Sequence, residues 1–242
     1  MHCHQKTRLL LFFLSLFLTT GTAAQVVNTE KLRPDVTESG LRGDADLALG
    51  LARNKAGQTV SIGLRGRLEY GRARSRWLLL GGYNLTQFNN VDEPGSAPKN
   101  FANTAFGHLR YNYEINAWLT WEAFSQGQWD EIQEIDIRLL NGTGPRFRLA
   151  GTDSTHLYFG LLYMYEYEET SEFADRLVFN QDHRLSSYLS GGFRLRDYLT
   201  VNHVTYYQPN LGRWSDFRIS SETTLAVSLS EHLSLNTYFQ FI

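Results

Sequence analysis

The sequence predicts an all-β chain folded as an antiparallel, up-and-down transmembrane β-barrel, with about eleven strands present and twelve expected when complete. Three observations lead there. The stretch from His156 to Glu168 alternates with a period of two: Leu157, Phe159, Leu161, Tyr163, Tyr165 and Tyr167 project to one side. His156, Tyr158, Gly160, Leu162, Met164, Glu166 and Glu168 project to the other. A row of tyrosines closing an apolar face suits the headgroup level of a bilayer, which makes the odd face lipid-facing and the even face enclosed. Second, 14% of residues are aromatic and the mean hydropathy is negative, yet no segment after residue 24 is apolar for long enough to form a transmembrane helix. Third, every long connection between the expected strands follows an odd-numbered strand, so long and short connections sort to opposite ends.

Residues 1–24 have the anatomy of a secretory signal. Lys6 and Arg8 precede an apolar run from Leu9 to Leu18, and Thr22-Ala23-Ala24 supplies small residues ahead of Gln25. Cys3, the only cysteine, lies inside this signal, so the exported chain has no disulfide chemistry. Without Lys6 and Arg8 the chain carries 21 basic against 25 acidic residues and no basic block to suggest nucleic acid, so no nucleic-acid partner is expected. Residues 25–39 lack a sustained apolar period and read as a periplasmic N-terminal arm, and 40–242 as the barrel.

The first expected strand, 41–52, turns Leu41, Ala45, Leu47, Leu49 and Leu51 outward and Arg42, Asp44 and Asp46 inward. After a tight turn at 54–57, the second, 59–70, has Val60, Ile62, Leu64 and Leu68 outside and Arg65, Arg67 and Glu69 inside. The third, 77–88, shows Trp77, Leu79, Tyr83 and Leu85 outward and leads into a long loop, 89–100, with Pro94, Gly95 and Pro98. The fourth, 101–113, carries His108 and Arg110 inward, and the fifth, 117–128, Glu122. The sixth, 132–149, exposes Ile135, Ile137, Leu139, Phe147 and Leu149. It shares Glu134, Asp136, Arg138, Arg146 and Arg148 on its inner face. Gly142, Gly144 and Pro145 are expected to bulge or bend it. The stretch 156–168 is the seventh, followed by a second long loop, 169–182. The eighth, 183–195, points Arg184, Tyr188 and Arg194 inward. The ninth spans 198–208; a longer loop, 209–215, precedes the tenth, 216–229, with Arg218 and Glu222 inward. The eleventh begins at Leu233.

Several ordered stretches resemble the salt-induced outer-membrane protein family, domain of unknown function 481. They are Phe106-Gly-His-Leu-Arg-Tyr-Asn-Tyr-Glu-Ile-Asn-Ala-Trp118, Gln128-Trp-Asp-Glu131, Tyr163-Met-Tyr-Glu-Tyr-Glu-Glu169, Ser186-Ser-Tyr-Leu-Ser190 and Tyr206-Tyr-Gln-Pro209. The resemblance implies an outer-membrane barrel with a link to salt or alkali stress, and no catalytic site. It also implies a further strand beyond the eleventh, in keeping with the even strand number of single-chain bacterial barrels.

The inward set is therefore Asp44, Asp46, Arg65, Arg67, Glu69, His108, Arg110, Glu122, Glu134, Asp136, Arg138, Glu166, Glu168, Arg184, Arg194, Arg218 and Glu222. Both signs are mixed, so like-charged neighbours on one strand call for opposite charges across the ladder. Such a lumen either holds water and passes ions or small solutes, or interlocks and leaves a structural, envelope-stabilising barrel. The expected surroundings are outer-membrane lipid, with the barrel-assembly machinery as partner during insertion. The five histidines beyond the signal have no metal-ligand spacing, and no cofactor is expected. The alternative is a lipid hydrolase using His203 with Ser187 or Ser221, all outward-facing.

Overall fold

Alternation at period two runs through most of the described chain, and the eleven strands pair only with their neighbours in sequence. The computed structural model describes residues 39–90, 97–152, 154–172, 176–230 and 233–241. The expected signal peptide, and the arm as far as residue 38, lie outside the described residues. The strands are β1 (Gly40–Arg53), β2 (Gly57–Arg72), β3 (Ser75–Asn90), β4 (Lys99–Asn116), β5 (Leu119–Asp130), β6 (Ile135–Gly151), β7 (Thr155–Glu172), β8 (Arg176–Arg196), β9 (Leu199–Pro209), β10 (Phe217–Ser230) and β11 (Leu233–Phe241). All ten ladders are antiparallel, in the order β1 to β11.

The two faces have the opposite polarity to a soluble sheet. Leu47, Leu64, Trp77, Leu109, Trp121, Leu139, Leu161, Leu189 and Phe239 are exposed on one face. Glu69, His108, Glu122, Arg138, Glu166, Arg184 and Glu222 are buried on the other. The polar face is concave, because strands far apart in the ladder meet across it: Tyr188 on β8 bonds Glu122 on β5, and Arg218 on β10 bonds Glu166 on β7. Among the described residues β1 and β11 form no ladder with each other, so the curled sheet is open along that seam.

One device closes several of the turns. The side-chain oxygens of Asn54, Asn116, Asp130 and Asn210 each accept the backbone N–H groups two and three residues on, and Thr152 does the same for Ser154 and Thr155. These Asx and ST turns satisfy donors that the ladders leave behind. The end carrying the β2–β3, β4–β5 and β6–β7 connections has turns of two or three residues, and Ala73 adopts a left-handed φ of 50° in the two-residue β2–β3 turn.

Four expectations are corrected. The second long loop, 169–182, is instead a hairpin: β7 continues to Glu172 and β8 begins at Arg176, with Glu172 opposite Arg176. No bulge falls at Gly142–Pro145, where the register against β5 and β7 runs through unchanged. The shifts lie towards the hairpin ends, at Ile135/Ile137 and Arg148/Ala150 on the β7 side. The first of these rotates the start of β6, so Ile135, expected outside, is buried. Asp136, expected inside, is exposed and accepts a hydrogen bond from Ser171, while Glu134 sits exposed in the β5–β6 turn at φ 57°. Arg194 too is exposed, because it lies at the turn end of β8, next to the register shift at Arg194/Arg196.

Candidate functional site: the concave face of the sheet

The concave face carries three clusters and an open flank. The first cluster is ionic and lies towards the end with the longer connections. Glu166 is 2% exposed, and three arginines converge on it. Arg184 Nε donates at 2.8 Å, Arg218 Nη1 at 2.7 Å, and Arg138 Nε lies 3.2 Å away. Arg138 also pairs with Glu168, its partner in the β6–β7 register. Arg184 continues the network to Asp182 at 3.0 Å and Asp216 at 3.4 Å, and Arg213 donates to Asp216 at 2.8 Å. Burying one carboxylate among so many donors is tolerable only because its lone pairs are all used. Asp216, in the β9–β10 connection, is held below the ordinary carboxyl range, first by the hydrogen bond from Arg213 and then by Arg184. Glu131, at the same end, is lowered by the amides of Asn100 and Asn103.

The second cluster is apolar and aromatic and fills the middle. Leu162, Tyr188, Val204 and Tyr206 are buried together, with Phe124 packed against them. Tyr188 and Tyr206 have ring centroids 5.6 Å apart, and His108 stacks on Phe124 at 5.6 Å while hydrogen-bonding Gln126. Two glycines make room for this. A Cβ at Gly142 would overlap the Phe124 ring, and one at Gly160 would overlap Tyr188. The rings therefore lie flat against the wall, and Tyr188 reaches far enough to donate to Glu122 Oε2 at 2.6 Å.

The third cluster lies towards the turn end. Glu122, 0% exposed, faces Arg110 at 3.8 Å and Arg146 at 3.9 Å besides Tyr188. The Arg146 guanidinium lies 3.6 Å from the Tyr158 ring centroid, a cation–π contact, and Arg76 pairs with Glu69 at 3.2 Å.

The flank formed by β1, β2, β10 and β11 is different. Antiparallel register sets Asp44 against Arg67 and Asp46 against Arg65, which answers the like-signed neighbours on each strand. Arg67 Nε donates to Asp44 at 2.8 Å. These groups keep access to solvent: the Asp44 side chain is 54% exposed. Asp46, Arg65, Glu222 and Tyr238 border a cavity of about 790 Å³ together with Phe106 and Gln128. Tyr238 hydrogen-bonds Glu222 across the β10–β11 ladder.

Of the residues expected to line an interior, Glu69, His108, Arg110, Glu122, Arg138, Glu166, Arg184 and Glu222 are buried, and Arg67, Glu168 and Arg218 are half-buried. Asp44, Asp46 and Arg65 are exposed on the open flank; Glu134, Asp136 and Arg194 are exposed at the strand ends. Asp182 and Asp216 were not expected in the ionic cluster. Their signal is compositional: each is an acid two residues before an inward arginine, Arg184 and Arg218.

The outward serines and histidine do not form a nucleophile–base pair. His203 Nδ1 bonds Thr223 at 2.8 Å and its Nε2 bonds Thr205 at 2.9 Å. Ser221 meets Thr205, and Ser187 donates to the Tyr207 carbonyl. Among the described residues no group of His, Cys, Asp and Glu side chains is arranged to hold a metal.

A family model described as a protein of unknown function, DUF481, matches residues 47–241, from the middle of β1 to the end of β11. The chain belongs to the DUF481 family. The matched span of this DUF481 protein contains all three clusters and most of the open flank. Among solved structures it is similar to the NanC porin, at 11% identity and a TM-score of 0.45, over 80% of this chain and 87% of that one. No curated protein matches it.

Proposed function

We propose that this DUF481 protein is an outer-membrane β-barrel that passes small ions along a narrow, charge-lined path. The observation that carries the reading is the inverted polarity of the sheet combined with its uneven interior. Charged side chains are buried on the concave face and large apolar side chains are exposed on the convex one, which suits lipid outside and water or paired charges inside. The filled clusters leave the flank of β1, β2, β10 and β11 as the conducting route, with Asp44, Asp46, Arg65, Arg67 and Glu222 setting its selectivity.

On this reading the short turns face the periplasm, the longer connections face outward, and the barrel-assembly machinery inserts the chain after its signal is removed. The decisive experiment is conductance of the refolded full-length protein in a planar bilayer. Discrete steps whose ion preference changes in Arg65→Glu are expected, and silence at all voltages overturns the channel.

A second reading is favoured by the Tyr188–Glu122 bridge, which spans the interior between β5 and β8. It makes the protein a plugged barrel that stiffens the envelope. It predicts no conductance and a deletion strain that leaks periplasmic contents. A role in salt or alkali stress rests on the family resemblance, and growth of that deletion strain in high salt tests it.

A further inference from the structure

We infer that the open flank holds a binding site for a small organic ammonium ion, with the ring of Phe106 as its platform. The site lies in the cavity of about 790 Å³, a size suited to a small molecule. Part of its wall is a single row across the ladders. Asp46, Arg65, Gly82, Phe106 and Gln128, on β1 to β5, follow one another as register partners.

Phe106 carries the inference. A Cβ at Gly82 would overlap its ring, so the ring lies flat against the wall, as Phe124 does over Gly142 and Tyr188 over Gly160. Those two rings are covered from the interior side. His108 stacks on Phe124, with the Arg110 guanidinium 5.9 Å from the ring centroid, and Tyr206 packs on Tyr188. Tyr158, nearer the turns, is covered by the Arg146 guanidinium at 3.6 Å. Phe106 is half-buried and borders the cavity, and among the described residues no ring or cation lies against it. An aromatic face is the negative side of the ring quadrupole, so the occupant it attracts most strongly is a cation.

The charge of the cavity selects the same kind of occupant. Its charged border is Asp46, Arg65, Asp130 and Glu222, three carboxylates against one guanidinium. Asp46 and Arg65 face each other in register and offset one another, which leaves Asp130 at the end of β5 and Glu222 on β10. Both of these are already hydrogen-bonded, Asp130 by the β5–β6 turn and Glu222 by Tyr238. They therefore act on a ligand through their field and not by direct ligation. A bare metal ion needs several open oxygens and gains little here. An alkylated ammonium needs none, because its methyl surface carries the charge onto the ring. The inference rests on the flank being the open part of the interior, and it can be tested without conductance.

The test is isothermal titration calorimetry on the folded full-length protein in maltoside micelles, which carry no ammonium group of their own. Choline and its uncharged isostere 3,3-dimethylbutan-1-ol are the titrants. Choline should saturate a single site, and the isostere should bind at least about ten-fold more weakly. Phe106→Leu keeps an apolar side chain and removes the ring. It should weaken choline by about three-fold or more while heat-modifiable migration shows an intact fold. Asp46→Asn, at an exposed position, covers the case in which the leucine variant does not fold. It leaves Arg65 without its offsetting charge and should weaken choline by about two-fold or more. No saturable heat from choline, equal affinity for the isostere, or unchanged choline binding in either folded variant would each overturn the site. Choline binding with a silent planar bilayer would overturn the channel and leave the site, whereas conductance without choline binding would overturn the site and leave the channel.

Discussion

The wall from β4 to β9 and the flank of β1, β2 and β11 have the same alternating pattern and opposite fates. On the wall, Glu122, Glu166 and Arg184 are almost completely buried and each meets partners from other strands. On the flank, Asp44 pairs with Arg67 in nearly ideal register and still stands half in solvent. Strand pattern therefore does not decide burial by itself; what lies across the concave face does. The wall strands face aromatic side chains large enough to bridge the interior, whereas the flank strands face one another across an open seam.

This contrast predicts very unequal mutational costs. Glu166→Ala leaves Arg138, Arg184 and Arg218 without their common carboxylate, and breaking such a buried arrangement costs about 3–5 kcal/mol. Urea unfolding of the refolded protein in micelles should show that loss. A variant as stable as the wild type would mean that the wall is as wet as the flank.

Smaller effects are expected one layer further towards the turns. Tyr188→Phe removes the donor to a carboxylate that has no solvent access, and should cost about 1–3 kcal/mol. Gly160→Ala should act through the same bond, because its Cβ displaces the Tyr188 ring. The double variant should then cost less than the two single changes together, and full additivity would separate the glycine from the bridge.

On the flank the order is reversed: stability barely responds and function should. Arg65→Glu lies on an exposed position opposite Asp46, so its stability change should stay within about 0.5 kcal/mol. Its effect belongs to ion preference, measured as reversal potential under a salt gradient. The exchange Asp46→Arg with Arg65→Glu should restore the original preference if local charge alone sets it.

The same contrast explains what the sequence could convey. Alternation located all eleven strands, and the tight turn at 54–57 was legible too, because both signals are local. The extension of β7 and β8 to Glu172 and Arg176 was illegible for a physical reason. Asn180, Gln181 and Asp182 are paired as strand residues, but the hairpin has no continuous apolar face at that height, so the period-two hydrophobic signal disappears while the ladder continues. The rotation at Ile135 was hidden too, since a one-residue shift exchanges faces without changing composition. Which inward residues are sealed depends on contacts across the concave face. A trace of it was nevertheless present: Gly142 lies opposite Phe124 and Gly160 opposite Tyr188, small residues facing large ones on neighbouring strands.

A small effect that depends on pH is expected where the ionic cluster of the wall reaches solvent, at Asp216. Its carboxyl is held below the ordinary value of 3.8, chiefly by Arg213 and then by Arg184, with slight burial working against them. A carboxyl depressed in the folded state adds stability above its unfolded pKa and loses it as pH falls through the folded one. The contribution of Asp216 should thus be complete near neutral pH and disappear in the window below about 3.8. Because Arg213 is largely exposed and solvent screens the pair, the amount should stay under about 1 kcal/mol. Unfolding midpoints of the wild type and Asp216→Asn should therefore differ slightly at pH 7 and converge in acid. A gap that persists at pH 2 would show that Asp216 acts through the geometry of the β9–β10 connection, where its backbone carbonyl accepts from Asn210, and not through its charge.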